Sequence, residues 1–222
     1  METIILATHN ENKLKEIQNI FAAIPEMRDF QLISMSDAGI RDEILENGTT
    51  YEENAVIKAE VVHNLTGQMV MADDSGIEID ALAGEPGVYS ARYLGEDTPY
   101  DVKIKDILQR MHGTPRERRT ARYVCSIAFI GKDNHLRTIR CTLHGYIAEK
   151  PSGENGFAYD NIFEVKDTGR TMAELSDIEK IQITHRAMAV RRICKTIPHQ
   201  IQEIQIEKGG LESIKEKLKP RH

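Results

Sequence analysis

The sequence predicts an α/β fold organised around a mixed β-sheet. Short apolar runs alternate with stretches of helical period through the first half of the chain. Two long strand-like runs, residues 123–130 and 136–147, are then separated by Gly131-Lys132-Asp133-Asn134 and read as a hairpin. Alternating strands and helices joined to a long hairpin give an α/β architecture with a mixed sheet.

Residues 3–7 form a short apolar strand, followed by a helical stripe through Leu14, Ile17 and Phe21 that ends before Pro25. A second strand falls at residues 31–33, and the polar residues 36–50 read as loop. Residues 51–65 read as a helix with Ala55, Ala59 and Val62 on its core side. A buried strand at residues 69–72 leads to Asp73 and Asp74, where Ser75 and Gly76 are expected to turn the chain before a further strand at 77–79. Gly84-Glu85-Pro86-Gly87 marks a turn, and residues 101–111 an amphipathic helix. The run Arg116, Arg118, Arg119, Arg122 reads as a solvated approach to the hairpin. A Gly-rich aromatic loop covers 151–163. Ser176 and Glu179 then stand at capping-box spacing and open a helix expected to run to about residue 195. The tail beyond mixes Glu and Lys at helical spacing and reads as a C-terminal extension, 196–222.

At 222 residues and 40% hydrophobic content, the chain can bury a sizeable core as one large domain or two lobes. No apolar run approaches the ~20 residues of a membrane span, and the N-terminus does not read as a secretory signal. Cys125, Cys141 and Cys194 are an odd count without metal-ligand spacing, as expected of reduced core residues in the cytoplasm. A net charge of −6 argues against a general nucleic-acid binder. It leaves room for a small anionic ligand held by a local cluster of Lys and Arg.

The residues that could do chemistry fall in five places. Asp73 and Asp74 suit a hard cation beside a polyanion, although an isolated D-D-S-G reads more often as an Asx turn. Thr8, Asn10 and Lys13 stand at a strand-to-helix junction, where free backbone N–H groups and the helix dipole favour phosphate, or where Asn10 simply caps the helix. The glycines of a P-loop are missing. Asn54 and Lys58 share one helix face, which for a lone pair reads as a solvated one; Glu43, Glu46 and Glu52 are further carboxylates that could join Asp74 around a cation. Phe157 and Tyr159 flank Ala158 and could sandwich a base whose ring N–H Asp160 would read; the alternative is that both rings anchor the loop in the core. Lys180, Thr184, His185 and Arg186 cluster near one helix end and suit an anion or carbonyl group.

Taken together, these segments resemble the Ham1-like inosine triphosphate pyrophosphatase family. The matching pieces are A-T-H-N-E-N-K-L-K-E-I from Ala7, T-Y-E-E-N-A-V-I-K-A from Thr50 and A-D-D-S-G-I through Y-S-A-R-Y from Ala72. G-F-A-Y-D from Gly156 and E-K-I-Q-I-T-H-R-A from Glu179 follow in the family's order. The resemblance covers residues 1–195 as one domain of two lobes. It implies an elongated fold with a long twisted mixed sheet, flanking helices, a central cleft and a homodimer. It also implies Mg²⁺-dependent hydrolysis of ITP, dITP and XTP to monophosphate and pyrophosphate. Alternatives are a Maf-like pyrophosphatase for other modified nucleotides, or a nucleotide sensor without turnover.

By position, Thr8, Asn10, Lys13, Asn54 and Lys58 match the triphosphate side and Ser75 a substrate contact. Asp74 matches the metal-binding and proton-accepting acid, with Glu46 as the second carboxylate. Phe157, Ala158, Tyr159, Asp160, Lys180, His185 and Arg186 match the base side. The chain departs from the family's pattern at Ala158 and Asn161, where Gly and Pro are usual, and at Thr184, where Ser is common.

Overall fold

The computed structural model describes residues 1–197. One six-stranded sheet runs through them in the order β2-β1-β3-β4-β5-β6. β1 (Glu2–Leu6) lies parallel to β2 (Phe30–Ser34) and to β3 (Met69–Ile79). Helices α1 (Glu11–Ala22) and α2 (Tyr51–Thr66) occupy the two connections, as parallel pairing requires long crossovers. β3 then pairs antiparallel with β4 (Thr120–Ile130), β4 with β5 (Leu136–Ile147), and β5 with the short β6 (Phe163–Val165). The expected hairpin is thus β4–β5, closed at Gly131–Asn134 by the Asn134 N–H bonding the Gly131 carbonyl at 3.1 Å. The mixed sheet expected from the sequence is present.

The period-2 alternation of β3 and β4 sorts the core between the two faces. Met69 and Met71 with Cys125, Ile127 and Phe129 pack under α1 and α5 (His185–Cys194). Val70 and Ala72 with Ala128 and Ile130 pack under α2. A third cluster fills the far end of the sheet, where Ile77, Ile79 and Tyr123 meet α3 (Tyr100–Arg110) and residues 159–175. The three cysteines are free and buried. Among the described residues, no helix is long and apolar enough to cross a membrane.

Four expectations need correction. Asp73 and Asp74 do not end a strand: β3 is continuous and stays in register with β4 from Val70↔Ile130 to Ile79↔Ala121. Ser75-Gly76 has the local composition of a turn, but ladder pairing overrides it. Gly76 is needed for close approach instead, since a Cβ there would lie 2.5 Å from both the Gly87 carbonyl and Ser90 Oγ.

The expected helix from Ser176 to about 195 is two helices, α4 (Asp177–Ile183) and α5, broken at Thr184. Thr184 is extended (ψ 151°), and its hydroxyl accepts the Ala187 N–H at 3.1 Å, so it caps α5 as Ser176 caps α4. Arg119 is not solvated. It is buried and donates to the carbonyls of Ile147, Met111 and Ala148 at 2.7–2.9 Å. Asn54 and Lys58, which as a lone pair would suit a solvated face, are buried beside Ala55 and Ala59. Apart from Thr196 and Ile197, the C-terminal extension lies outside the described residues.

Candidate active site

β1 stops at Leu6, opposite Met71, while β3 continues for eight more residues. Beyond that point the edge of β3 has lost its neighbour, and a cleft of about 1110 Å³ opens there. Ligand sites in open α/β sheets form at such openings beyond strand ends. Adjacent strand residues point to opposite faces, so Asp73 and Asp74 serve different sides of this cleft.

Asp73 faces α1 and α5. It is fully buried, with Lys13 Nζ at 3.1 Å and Arg186 Nε at 3.4 Å from Oδ2. Burial opposes its charge, but Lys13, Arg186 and Lys58 outweigh burial and hold its carboxyl well below the usual range. Arg186, itself buried, also donates to Ser75 Oγ at 2.8 Å and to Glu16. Glu16 accepts a further bond from the Thr184 hydroxyl at 3.3 Å. Lys13, Asp73, Arg186 and Glu16 thereby form an alternating chain of charges between α1 and α5.

Asp74 faces α2. Its Oδ2 accepts from Asn54 Nδ2 at 3.1 Å, and Lys58 Nζ lies 3.7 Å from Oδ1. Here burial wins over the nearby lysines, and the carboxyl is raised above its ordinary value. Lys58 also meets Glu46 at 3.1 Å. The loop carrying Glu46 is fixed where the Gly48 N–H bonds Asn54 Oδ1 at 2.8 Å. At the head of α1, Asn10 Oδ1 accepts the Asn12 and Lys13 N–H groups at 3.0 and 3.1 Å, and Thr8 Oγ1 accepts the Asn10 N–H at 3.2 Å. Asn10 therefore caps the helix while it lines the cleft, so the two readings of the sequence are compatible.

The other end of the cleft is lined by residues 155–160, Lys180 and His185. Asp160 Oδ2 receives Lys180 Nζ at 3.1 Å and the Phe157 N–H at 3.3 Å, and Oδ1 receives the Tyr123 hydroxyl at 3.1 Å. Burial, with the Arg186 charge adding to it, pushes the His185 imidazole well below its usual pKa, so the ring is neutral at pH 7. The Phe157 ring lies 5.9 Å from the Arg186 guanidinium. Ala158 adopts a left-handed conformation (φ 54°), which explains why glycine suits this position. The Tyr159 ring, expected beside Phe157 to enclose a base, is buried rather than presented to the cleft. It is 1% exposed, packs edge-on to Tyr100 and donates to the Ser90 carbonyl at 2.8 Å, so it anchors the loop.

The structure thus gathers Thr8, Asn10, Lys13, Lys58, Asp74, Ser75 and Glu46 at one end and Phe157, Ala158, Asp160, Lys180 and His185 at the other, while Asn54 is fully buried behind Asp74 and does not line the cleft. Arg186 stands between them. Glu43 also lines the cleft, whereas Glu52 pairs with Arg140 outside it. Sequence reasoning missed Glu16, Tyr123 and Asn155. Glu16 had a signal, three residues after Lys13 on the same helix face; Tyr123 had none.

The sequence profile of the Ham1 family matches residues 4–196. The chain belongs to the Ham1 family. Among Ham1 relatives, it is similar to the dITP/XTP pyrophosphatase of Bacillus subtilis (strain 168), 45% identical over 197 residues that cover 89% of this chain and 98% of that one. It is also similar to the dITP/XTP pyrophosphatase of Geobacillus kaustophilus, 42% identical over 193 residues that cover 87% and 93%. The Staphylococcus aureus Ham1 protein structure superposes with a TM-score of 0.78 at 37% identity, covering 90% of this chain and all of that one. A Ham1 protein from Coxiella burnetii gives 0.77 at 35%, covering 88% and 98%.

For a metal, the donor set is limited. Among the described residues no group of three or more His, Cys, Asp or Glu is gathered for one ion. Asp74 and Glu46, linked through Lys58, offer two carboxylates at the end of the cleft that holds Lys13. That fits Mg²⁺, which takes one or two carboxylates and completes its shell with water and phosphate oxygens. It does not fit a closed zinc site.

Proposed function

We propose that this cleft hydrolyses non-canonical purine nucleoside triphosphates (ITP, dITP and XTP) to the monophosphate and pyrophosphate. The observation that carries the reading is the division of the cleft. A cationic end (Lys13, Lys58, the head of α1) contains one carboxylate of raised pKa, and a largely neutral end pairs an aromatic ring with polar edge groups. Relatives named dITP/XTP pyrophosphatases over nearly the whole chain support it.

In this mechanism a water oxygen forms a bond to the α-phosphorus as the bond from that phosphorus to the α–β bridging oxygen breaks, and pyrophosphate carries away the bond's electrons. Asp74 accepts the water's proton, and its raised pKa makes it a better base than an exposed aspartate. Lys13, Lys58 and the α1 N–H groups stabilise charge on the departing pyrophosphate, because phosphoryl transfer depends mainly on positioning and electrostatics. Mg²⁺ held by Asp74 and Glu46 would supply further positive charge to the phosphate oxygens.

At the other end, the purine lies against Phe157 and its 6-oxo group accepts from Lys180, His185 or Arg186. Arg186 uses one N–H on each nitrogen for Asp73, Glu16 and Ser75, which leaves one on each terminal nitrogen. A 6-amino group would set donor against donor, a mismatch that can reach ~10⁴-fold in selectivity. A homodimer in the cytoplasm belongs to the same reading. The free cysteines are consistent with that compartment, and light scattering in solution tests the dimer.

The deciding experiment is pyrophosphate release from dITP, XTP, dATP, dGTP and dTTP, with and without Mg²⁺. Release from dITP and XTP, dependent on Mg²⁺, is expected. No release from any of the five overturns the enzyme reading, and preference for dTTP overturns the purine assignment.

A further inference from the structure

Tyr123 is a side chain in the cleft for which the proposed mechanism has no use, yet it touches two of the groups that would read the base. It stands on β4 opposite Ile77 of β3 and Leu143 of β5, in the interior of the sheet. Its ring is 6% exposed and lines the cleft. One side lies flat against the His185 imidazole, with centroids 4.7 Å apart and planes 6° from parallel, and Phe163 packs tilted against it at 4.5 Å. The hydroxyl donates to Asp160 Oδ1 at 3.1 Å.

These two contacts fix what little else fixes. The His185 Nδ1 is buried without a hydrogen-bond partner among the described residues, so the stack on Tyr123 sets the plane of the imidazole. Asp160 is held on its other oxygen by Lys180 and the Phe157 N–H, both part of the loop-and-helix wall. Only the Tyr123 hydroxyl, among its hydrogen bonds, ties it to the sheet. A planar ring with two torsions, clamped in a three-strand ladder, is a rigid support for groups borne on a loop and a helix start.

We infer that Tyr123 is a positioning residue for base selection: its ring orients His185, and its hydroxyl holds Asp160 at the purine edge. The inference rests on the purine triphosphate reading of the cleft, and the parent enzyme's own turnover of dITP tests that reading separately. Tyr123→Phe keeps the stack and loses the hydrogen bond to a carboxylate. It is expected to raise KM for dITP about tenfold, the scale of one charge-assisted bond, while kcat changes less than about twofold. Tyr123→Leu loses both contacts and is expected to lower the dITP-to-dATP selectivity further.

Two controls separate positioning from a general loosening of the fold. Inhibition by inorganic tripolyphosphate, which probes only the cationic end, should match the parent. In an Asp160→Ala background, which leaves the Tyr123 hydroxyl no side-chain acceptor, Tyr123→Phe should add no further KM effect, because the two residues act as one unit. An unchanged KM and selectivity in Tyr123→Phe would overturn the inference. So would additive effects in the double variant, or a loss shared equally by tripolyphosphate inhibition. If Tyr123→Leu does not fold, the Tyr123→Phe series decides alone.

Discussion

Replacing each of the adjacent aspartates by asparagine should give opposite phenotypes. Asp73→Asn preserves shape and removes charge. The carboxylate it removes is fully buried, lies 3.1 Å from Lys13 and 3.4 Å from Arg186, and is held ionised against its burial by those cations. Breaking a buried pair from one side costs about 3–5 kcal/mol, since the remaining charge is uncompensated. Two features place this case near the lower figure. Arg186 keeps Glu16, and the Lys13 side chain, 16% exposed, has a route to water.

A loss of about 3 kcal/mol, with a urea m-value of roughly 2–3 kcal/mol/M for a chain of this size, shifts the unfolding midpoint down by about 1 M or more. Asp74→Asn should behave differently. Burial is the dominant effect on that carboxyl and raises its pKa, and Lys58 keeps Glu46, so stability should stay within about 1 kcal/mol while turnover is lost. Urea unfolding followed by far-UV circular dichroism suits a chain without tryptophan, with pyrophosphate release from dITP measured on the same preparations. The reasoning fails if Asp73→Asn is as stable as the parent, if Asp74→Asn is the less stable of the pair, or if Asp74→Asn still turns over.

Two further outcomes follow from individual side chains. The His185 pKa is depressed in the folded chain, so between that value and about 6.5 the unfolded chain binds the extra proton and stability falls as pH drops, by up to ~1.4 kcal/mol per pH unit. This contribution is complete above about pH 6.5. Urea midpoints from roughly pH 5 to 7.5 should therefore slope less steeply in His185→Phe than in the parent, and equal slopes would refute the assignment. Ala158→Gly should stabilise by about 0.5–1 kcal/mol, because relief of the left-handed strain exceeds the entropy gained by the unfolded chain. A lower melting temperature in that variant would show that the loop gains something from the methyl group.

Where local patterning and the final structure agree, the reason is that one period dominates a segment. The β4–β5 hairpin, α1, α2 and the Ser176 capping box are of this kind. The disagreements occur where a local signal meets a stronger non-local one. Ser75-Gly76 has the composition of a turn, but ten residues of β3 pair with β4 and carry the chain straight through. Thr184 carried a usable signal, since a threonine before a new helical stretch is a competent N-cap, yet the unbroken polar-apolar pattern around it hides the break. Arg119 could not be told from its neighbours Arg116 and Arg118, because two of the carbonyls it bonds, those of Ile147 and Ala148, are remote in sequence. The site followed the same division. Lys13, Lys58 and Asp74 are legible because each sits in a motif, whereas Tyr123 is one aromatic among others on a strand until the fold brings His185 over it.

The adjacency of Asp73 and Asp74 has a structural logic that depends on where β1 ends. Within a sheet, two consecutive side chains face opposite ways and would belong to separate compartments. At the end of β1 the barrier between those compartments is missing, so both faces of β3 open onto one cleft while each carboxylate keeps its own helices. Asp74 works against α2, with Asn54, Lys58 and Glu46, where a carboxylate of raised pKa can accept a proton. Asp73 works against α1 and α5, where a fully ionised carboxylate ties Lys13 at the phosphate end to Arg186 toward the base end. The two roles need opposite pKa shifts. One strand supplies both because the cations within reach differ between its faces: two flank Asp73 closely, whereas the lysine nearest Asp74 is shared with Glu46. Exchanging the environments, for example by Glu46→Gln, should therefore leave Lys58 wholly to Asp74 and lower the pKa of the base.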